Sequence, residues 1–176
     1  MASILKVNEI QHTGGTTALT VDSNGRFSRP KTPSWFFHVG DGHTASTALV
    51  VDPMIWGQKI QDDDGAGGTM SNGSTSNITI PVSGLYWIGY GGIKGNSNSV
   101  AGRMAMVKVS GTGDDSFIQA RGEEVSPYAQ MVATQVKYLY AGAVYKITTT
   151  NAGMWAGGSD TTSGFNDPYW TGYLVG

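Results

Sequence analysis

The sequence predicts an all-β sandwich, and three observations carry the prediction. Short β-forming segments recur along the chain, separated by Gly, Asn, Asp and Ser turns at the short spacing of sandwiches and barrels. Glycine, at 26 of 176 residues, is about twice its usual ~7% share, and charged residues, at 14%, fall well below the usual ~25%. Turns are plentiful, while the Lys and Glu that coat exposed helices are scarce. The third observation is the stretch from Ile78 to Ile93, ITIPVSGLYWIGYGGI. Pro81 has no backbone donor and ends its first run; Gly84 restarts the second. In that second run Tyr86, Ile88 and Tyr90 point one way, and Leu85, Trp87 and Gly89 the other. Neither face is polar, so the strand needs a packed layer on each side. One is its own sandwich and the other lies beyond it.

Composition removes several function classes. A net charge of −2 and a pI near 5.8 leave no basic footprint for nucleic acid. Without cysteine there is neither a disulfide framework nor a thiolate metal site. The start, MASILKVNEIQ, lacks the basic region and apolar run of a signal peptide. No segment approaches the ~20 apolar residues of a membrane-spanning helix. The expectation is synthesis in a cytoplasm, without membrane insertion.

In chain order, residues 1–33 read as an arm and linker, and residues 34–176 as a head. The arm's apolar points are Ile4, Leu5, Val7 and Ile10, then Leu19 and Val21, then Phe27, with Asn24-Gly25 as a two-residue hairpin signal. Three such pieces cannot bury a core of their own, so the arm is expected to be ordered by docking on something else. The head opens with SWFFHV, followed by ALVVDPMIW with Pro53 at a bend or an edge. Gln58 to Ser76 reads as a polar loop. After the Ile78 to Ile93 pair come RMAMVKV, SFIQAR and a charged GEEVSP loop. Residues 127–140 fit a helical stripe and a strand alternation alike; β-branched and aromatic enrichment decides for strand. Ala143 to Thr150 and PYWTGYLV complete about ten strands.

Four segments in this order resemble the globular head of the complement recognition component's q subunit, a jelly roll shared with the tumour necrosis factor superfamily. They are SWFFHV, IPVSGLYWI, YAGAVYKI and WTGYLV, and the resemblance runs from Trp35 to Val175. Ala143 stands where the family has an aspartate, which puts that acid's part in the turn in question. The segment SILKVNEIQHTGGTTALTVDSNGRF resembles the opening of structural proteins from phages of aquatic bacteria. Together the resemblances imply a homotrimeric jelly roll carried on a virion. The trimer is expected independently, because a strand apolar on both faces needs a partner that one sandwich does not supply.

These readings assign the residues. Ile4, Leu5, Val7, Ile10, Leu19, Val21 and Phe27 are the expected virion anchor. Tyr86, Trp87, Tyr90, Tyr138 and Tyr140 are the expected trimer interface, and Trp155, Phe165 and Tyr169 a candidate ligand-facing loop able to stack on sugar rings. Asp62-Asp63-Asp64-Gly65 has the composition of a calcium turn without the spacing of a known loop, and reads as a solvated turn. His12, His38 and His43 make no metal site. No Ser or Thr sits in a strand-elbow-helix context, and Glu123-Glu124 would diverge on a strand, so neither catalysis nor a cofactor is expected. The expected partners are the chain itself and phage capsid or tail proteins. The expected role is capsid decoration, with a tail-fibre tip gripping a host glycan as the alternative.

Overall fold

The computed structural model describes residues 9–11, 17–28, 32–38, 50–51, 56, 58–71, 77–94, 102–115, 117–122, 130–150, 154–155 and 168–175. All regular elements among them are antiparallel strands. The first three, β1 (Glu9–Gln11), β2 (Thr17–Val21) and β3 (Phe27–Ser28), form a sheet of their own in the order β1-β2-β3. The turn between β2 and β3 is not the two-residue hairpin that Asn24-Gly25 suggests. Asp22 builds it: its carboxylate accepts from the Asn24 and Arg26 amides at 2.8 and 2.9 Å and pairs with the Arg26 guanidinium. These amides hold the Asp22 carboxyl below its ordinary pKa, the Arg26 amide most of all.

The other strands are β4 (Ser34–His38), β5 (Val50–Val51), β6 (Gln58–Asp63), β7 (Ile78–Thr79), β8 (Gly84–Lys94), β9 (Arg103–Ser110), β10 (Ala120–Arg121), β11 (Gln130–Leu139), β12 (Val144–Thr150), β13 (Met154–Trp155) and β14 (Tyr169–Leu174). A six-stranded sheet runs β11-β8-β14-β4-β6, with β13 also paired to β8. A five-stranded sheet runs β10-β9-β12-β5, with β7 also on β12. Their inward side chains make one core: Trp35, Phe37, Tyr86, Ile88, Tyr90, Met131 and Trp170 from the first, Met104, Met106, Tyr145 and Ile147 from the second. The aromatic rings pack edge-on, Trp170 lying 5.7 Å from Trp35 and 6.0 Å from Phe37 in near-perpendicular contacts.

Residues 130–139 are a strand, as β-branching and aromatics predict. Met131, Ala133 and Leu139 are buried while Val132, Thr134, Val136 and Tyr138 are exposed, which no helical stripe gives. Two strands fall where loops are expected. QKIQDD forms β6, whose single apolar side chain, Ile60, points to solvent. A sheet edge needs only backbone pairing, here to β4, and so carries no alternation to read. Met154–Trp155 pairs with Ile93 and Lys94 inside the expected glycine-rich loop. Ala143 takes the family's acid position without loss of the turn. The Ala143 amide bonds the Tyr140 carbonyl at 3.1 Å, Gly142 supplies the positive φ, and the Ser83 hydroxyl accepts from the Ala141 amide.

The registers give the head two ends. At one, Leu174 donates to the Pro33 carbonyl and Val175 to the Leu85 carbonyl, so the arm joins there. At the other stand His38, Tyr169, Ile93, Gln130, Arg103 and Thr150.

Candidate functional site

The outward face of the six-stranded sheet is the surface that sequence reasoning anticipates beyond the sandwich. Cross-strand register lays it out in rows. Val136, Trp87, Tyr173, Ser34 and Asp63 form one row across β11, β8, β14, β4 and β6. Thr134, Gly89, Thr171, Phe36 and Gln61 form the next, and Val132, Gly91, Tyr169 and His38 a third. At the arm end Tyr138 stands opposite Leu85. Leu85, Val132, Val136, Tyr138 and Tyr173 are each 44% to 57% exposed within the single chain. Large apolar groups thus cover β11, β8 and β14 and reach Phe36 on β4, and the face turns polar around it and on β6 with Ser34, Gln61 and Asp63.

Two glycines flatten this face. A Cβ on Gly89 would stand 2.8 Å from the Trp87 ring, and one on Gly91 3.2 Å from the Tyr169 ring and 2.5 Å from the Met131 carbonyl oxygen. Without those carbons, both rings lie down over the sheet. Tyr173 then stacks on Trp87 at 5.6 Å and 28°, and Tyr138 meets Tyr140 edge-on at 5.1 Å. A flat aromatic surface of this kind suits packing against another sheet or strand edge.

The expected interface residues divide between two environments. Trp87, Tyr138 and Tyr140 are on or beside the outward face. Tyr86 and Tyr90 are not: both point into the sandwich and are 0% exposed, which corrects their assignment to a surface between subunits. The period of the strand gives two faces, Tyr86, Ile88 and Tyr90 against Leu85, Trp87 and Gly89, but neither is polar, so apolar character alone did not say which faces inward. Their hydroxyls are satisfied internally, Tyr86 donating to the Val82 carbonyl at 2.8 Å and Tyr90 to the Ile118 carbonyl. Burial pushes each phenol up to about 12.

The remaining assignments distribute as follows. Ile10 on β1 is exposed, Val21 on β2 is partly buried, and Leu19 and Phe27 lie in β2 and β3. Ile4, Leu5 and Val7 lie outside the described residues, as do His12, His43, Phe165, Glu123 and Glu124. Trp155 belongs to β13 rather than to a loop, and Tyr169 opens β14 on the flattened face, so neither is a loop residue. Burial raises the Tyr169 phenol. Asp62, Asp63 and Asp64 make an internally bonded turn. Asp62 accepts from the Met70 and Ser71 amides and the Ser71 hydroxyl, Asp63 from Gly65, and Asp64 from Ala66 and Gly68. Among the described residues no group of three His, Cys, Asp or Glu converges as metal ligands would.

No protein-family model matches the sequence, and no curated protein matches it. Solved structures share the fold. Murine APRIL superposes with a TM-score of 0.55 at 12% identity, over 81% of this chain and 99% of that one. The globular domain of zebrafish complement 1qA gives 0.55 at 13%, over 82% and 98%. The Eiger TNF of S. frugiperda gives 0.55 at 12%, over 84% and 94%. The head therefore has the tumour-necrosis-factor and complement-q type of jelly roll that the four sequence segments imply, at identities that speak for fold alone.

Proposed function

We propose that the chain is a homotrimeric structural protein of a phage virion, docked by its N-terminal arm and displaying the jelly-roll head as capsid decoration. The observation that carries the self-association is the flat apolar face over β11, β8 and β14. Contiguous exposed apolar surface on this scale marks an interface in soluble proteins. Its one-sidedness supports a cyclic arrangement: the apolar edge at β11 meets the aromatic face of the next copy, while the polar β6 side stays at the periphery. The sequence resemblance of the head supports the same arrangement. The role is structural rather than enzymatic.

The virion part rests on the phage-like segment at residues 3–27 and on the arm's separate small sheet, which buries too little to hold itself. An arm of about 30 residues spans at most ~100 Å fully extended, which favours a head held close to the particle. A short tail-fibre tip is the second reading, favoured by Trp155 and Tyr169, aromatics on β13 and β14 at the end of the head away from Pro33. Imaging the virion decides between them by copy number, many on the capsid against a few at the tail.

The decisive test separates arm from head. Light scattering of the full chain should give three times the subunit mass. Deleting residues 1–30 should leave that mass and the β-sheet circular dichroism in place, yet abolish co-sedimentation with particles lacking the protein. A stable wild-type monomer would sink the trimer, and an arm-deleted head that still binds particles would sink the docking role of the arm.

A further inference from the structure

The five-stranded sheet presents the opposite chemistry. None of its strands contains an Asp or Glu, although the whole chain is net negative. Its outward side chains include Arg103, Ala105 and Val107 on β9, Arg121 on β10, and Lys146 and Thr148 on β12. Arg121 stands directly opposite Arg103 in the antiparallel register, and both are exposed. Side chains so placed rise from Cβ atoms about 5 Å apart, and like charges in that position destabilise a sheet. Among the described residues neither arginine has an ion pair; Arg121 has one long hydrogen bond, 3.4 Å to the Gln119 amide oxygen. The chain treats its lysines differently, pairing Lys108 with Asp115 at 3.1 Å and Lys137 with Asp114 at 3.0 Å.

We propose that Arg103 and Arg121 form an anion-binding pair for a linear acidic polysaccharide bearing carboxylate or sulfate groups. Two guanidinium forks side by side match an anionic group with several oxygens, and bound anion would relieve their repulsion. Beyond the pair, Ala105, Val107 and Thr148 make a smooth strip of small side chains. Lys146, opposite Val107, continues the positive potential about 13 Å along the strand. Charges recurring along a flexible chain can follow such a strip. A protein partner would want an aromatic anchor, and the only aromatic in these strands, Tyr145, is buried in the core. Duplex DNA, with one charge per about 1.7 Å, would bring its dense charge against the acidic remainder of the molecule.

The inference goes beyond the trimer and uses the other sheet. A monomeric protein that still bound would therefore overturn only the trimer. The test is binding of the full chain at low salt to immobilised heparin and polygalacturonate, with neutral dextran and duplex DNA alongside. The wild type should be retained on the two acidic polysaccharides and not on dextran. Arg103→Ala with Arg121→Ala should weaken retention by about ten-fold. The double Lys variant should fall between, because it keeps the charge and loses the fork. Arg26→Gln, with the net-charge change of one arginine on the arm, should bind as wild type. Arg121→Ala alone should melt no lower than wild type, which separates lost binding from lost fold. Absence of wild-type retention, equal retention on DNA, or equal loss with Arg26→Gln would each overturn the proposal.

Discussion

The two outward faces of this sandwich cover one shared core, yet they are prepared for different neighbours. On the six-stranded sheet, Gly89 and Gly91 let Trp87 and Tyr169 lie flat, and Leu85, Val136 and Tyr173 complete a wide apolar surface. On the five-stranded sheet, the outward positions of β9 and β12 hold Ala105, Val107 and Thr148 between Arg103 and Lys146. The first face loses free energy to water and gains it by being covered. The second is already compatible with water and interacts through charge. Both sheets contribute inward side chains of the same apolar kind to a shared core, so the difference is not needed for folding. Outward positions are where a sandwich is free to specify partners.

The largest effect should come from putting a charge on each face in turn. Val136→Glu places a carboxylate on the apolar face, where covering it without a partner costs about 3–5 kcal/mol. Sedimentation equilibrium should show that variant as a monomer with its fold intact. Val107→Glu makes the same change on the opposite sheet and should leave the mass unaltered. If both variants dissociate alike, or neither does, the two faces are not distinguished in the way described here.

Much of this contrast was legible in the sequence, and the parts that were not share a cause. Two-residue periodicity gave β8 and β9, because a strand packed on one side must alternate or, like β8, be apolar throughout. β11 fitted a helical stripe equally well and was settled by its β-branched and aromatic residues, and β12 by the Ala141-Gly142 turn before it. Periodicity missed β6, because an edge strand is held by its backbone and QKIQDD needs no apolar stripe. It also left open which side of β8 faces inward. Tyr86, Ile88 and Tyr90 are as apolar as Leu85, Trp87 and Gly89, and the glycines at 89 and 91 are the clue. A core position seldom gives up its side chain, whereas a surface on which rings must lie flat requires it. The Arg103–Arg121 pair was hidden for another reason: the register that brings them together spans the connection between β9 and β10 and cannot be read from spacing alone.

A smaller effect tests the inward assignment of Tyr86 and Tyr90. Each phenol is raised to about 12 in the folded chain, chiefly by burial, against an unfolded value of 10.0. The neutral form is therefore favoured by folding. The contribution is fully present below pH 10.0 and is lost as the pH rises towards the folded value of about 12. Denaturant melts should be insensitive to these groups at neutral pH and weaken steeply over that alkaline window. Tyr86→Phe should cost about 1 kcal/mol at neutral pH through the lost bond to the Val82 carbonyl, and should flatten the alkaline slope. An unchanged slope in the Tyr86→Phe, Tyr90→Phe double variant would place both phenols in water and return them to the outward face.

The smallest effect is expected from chelation, at the polar margin of the apolar face where Asp62, Asp63 and Asp64 end β6 and begin the following turn. A calcium ion takes six to eight oxygen ligands and needs carboxylate lone pairs aimed at one point. Here those lone pairs are directed at amides: Asp62 takes Met70 and Ser71 at 2.8 and 2.9 Å, Asp63 takes Gly65 at 2.8 Å, and Asp64 takes Ala66 and Gly68 at 2.7 and 2.8 Å. The donors come from the turn itself, so the carboxylates already do for the backbone what a cation would have to undo. Chelation should leave the melting temperature unchanged, since removing an ion lowers it only where the folded state binds that ion. Asp64→Ala should destabilise by about 1–2 kcal/mol, because two turn amides lose their acceptor, whereas Asp64→Asn keeps a carbonyl oxygen in place and should cost less. A drop of several degrees on chelation, restored by calcium, would mean that the three carboxylates turn away from their amides to bind it, and the margin of the face would be a metal site after all.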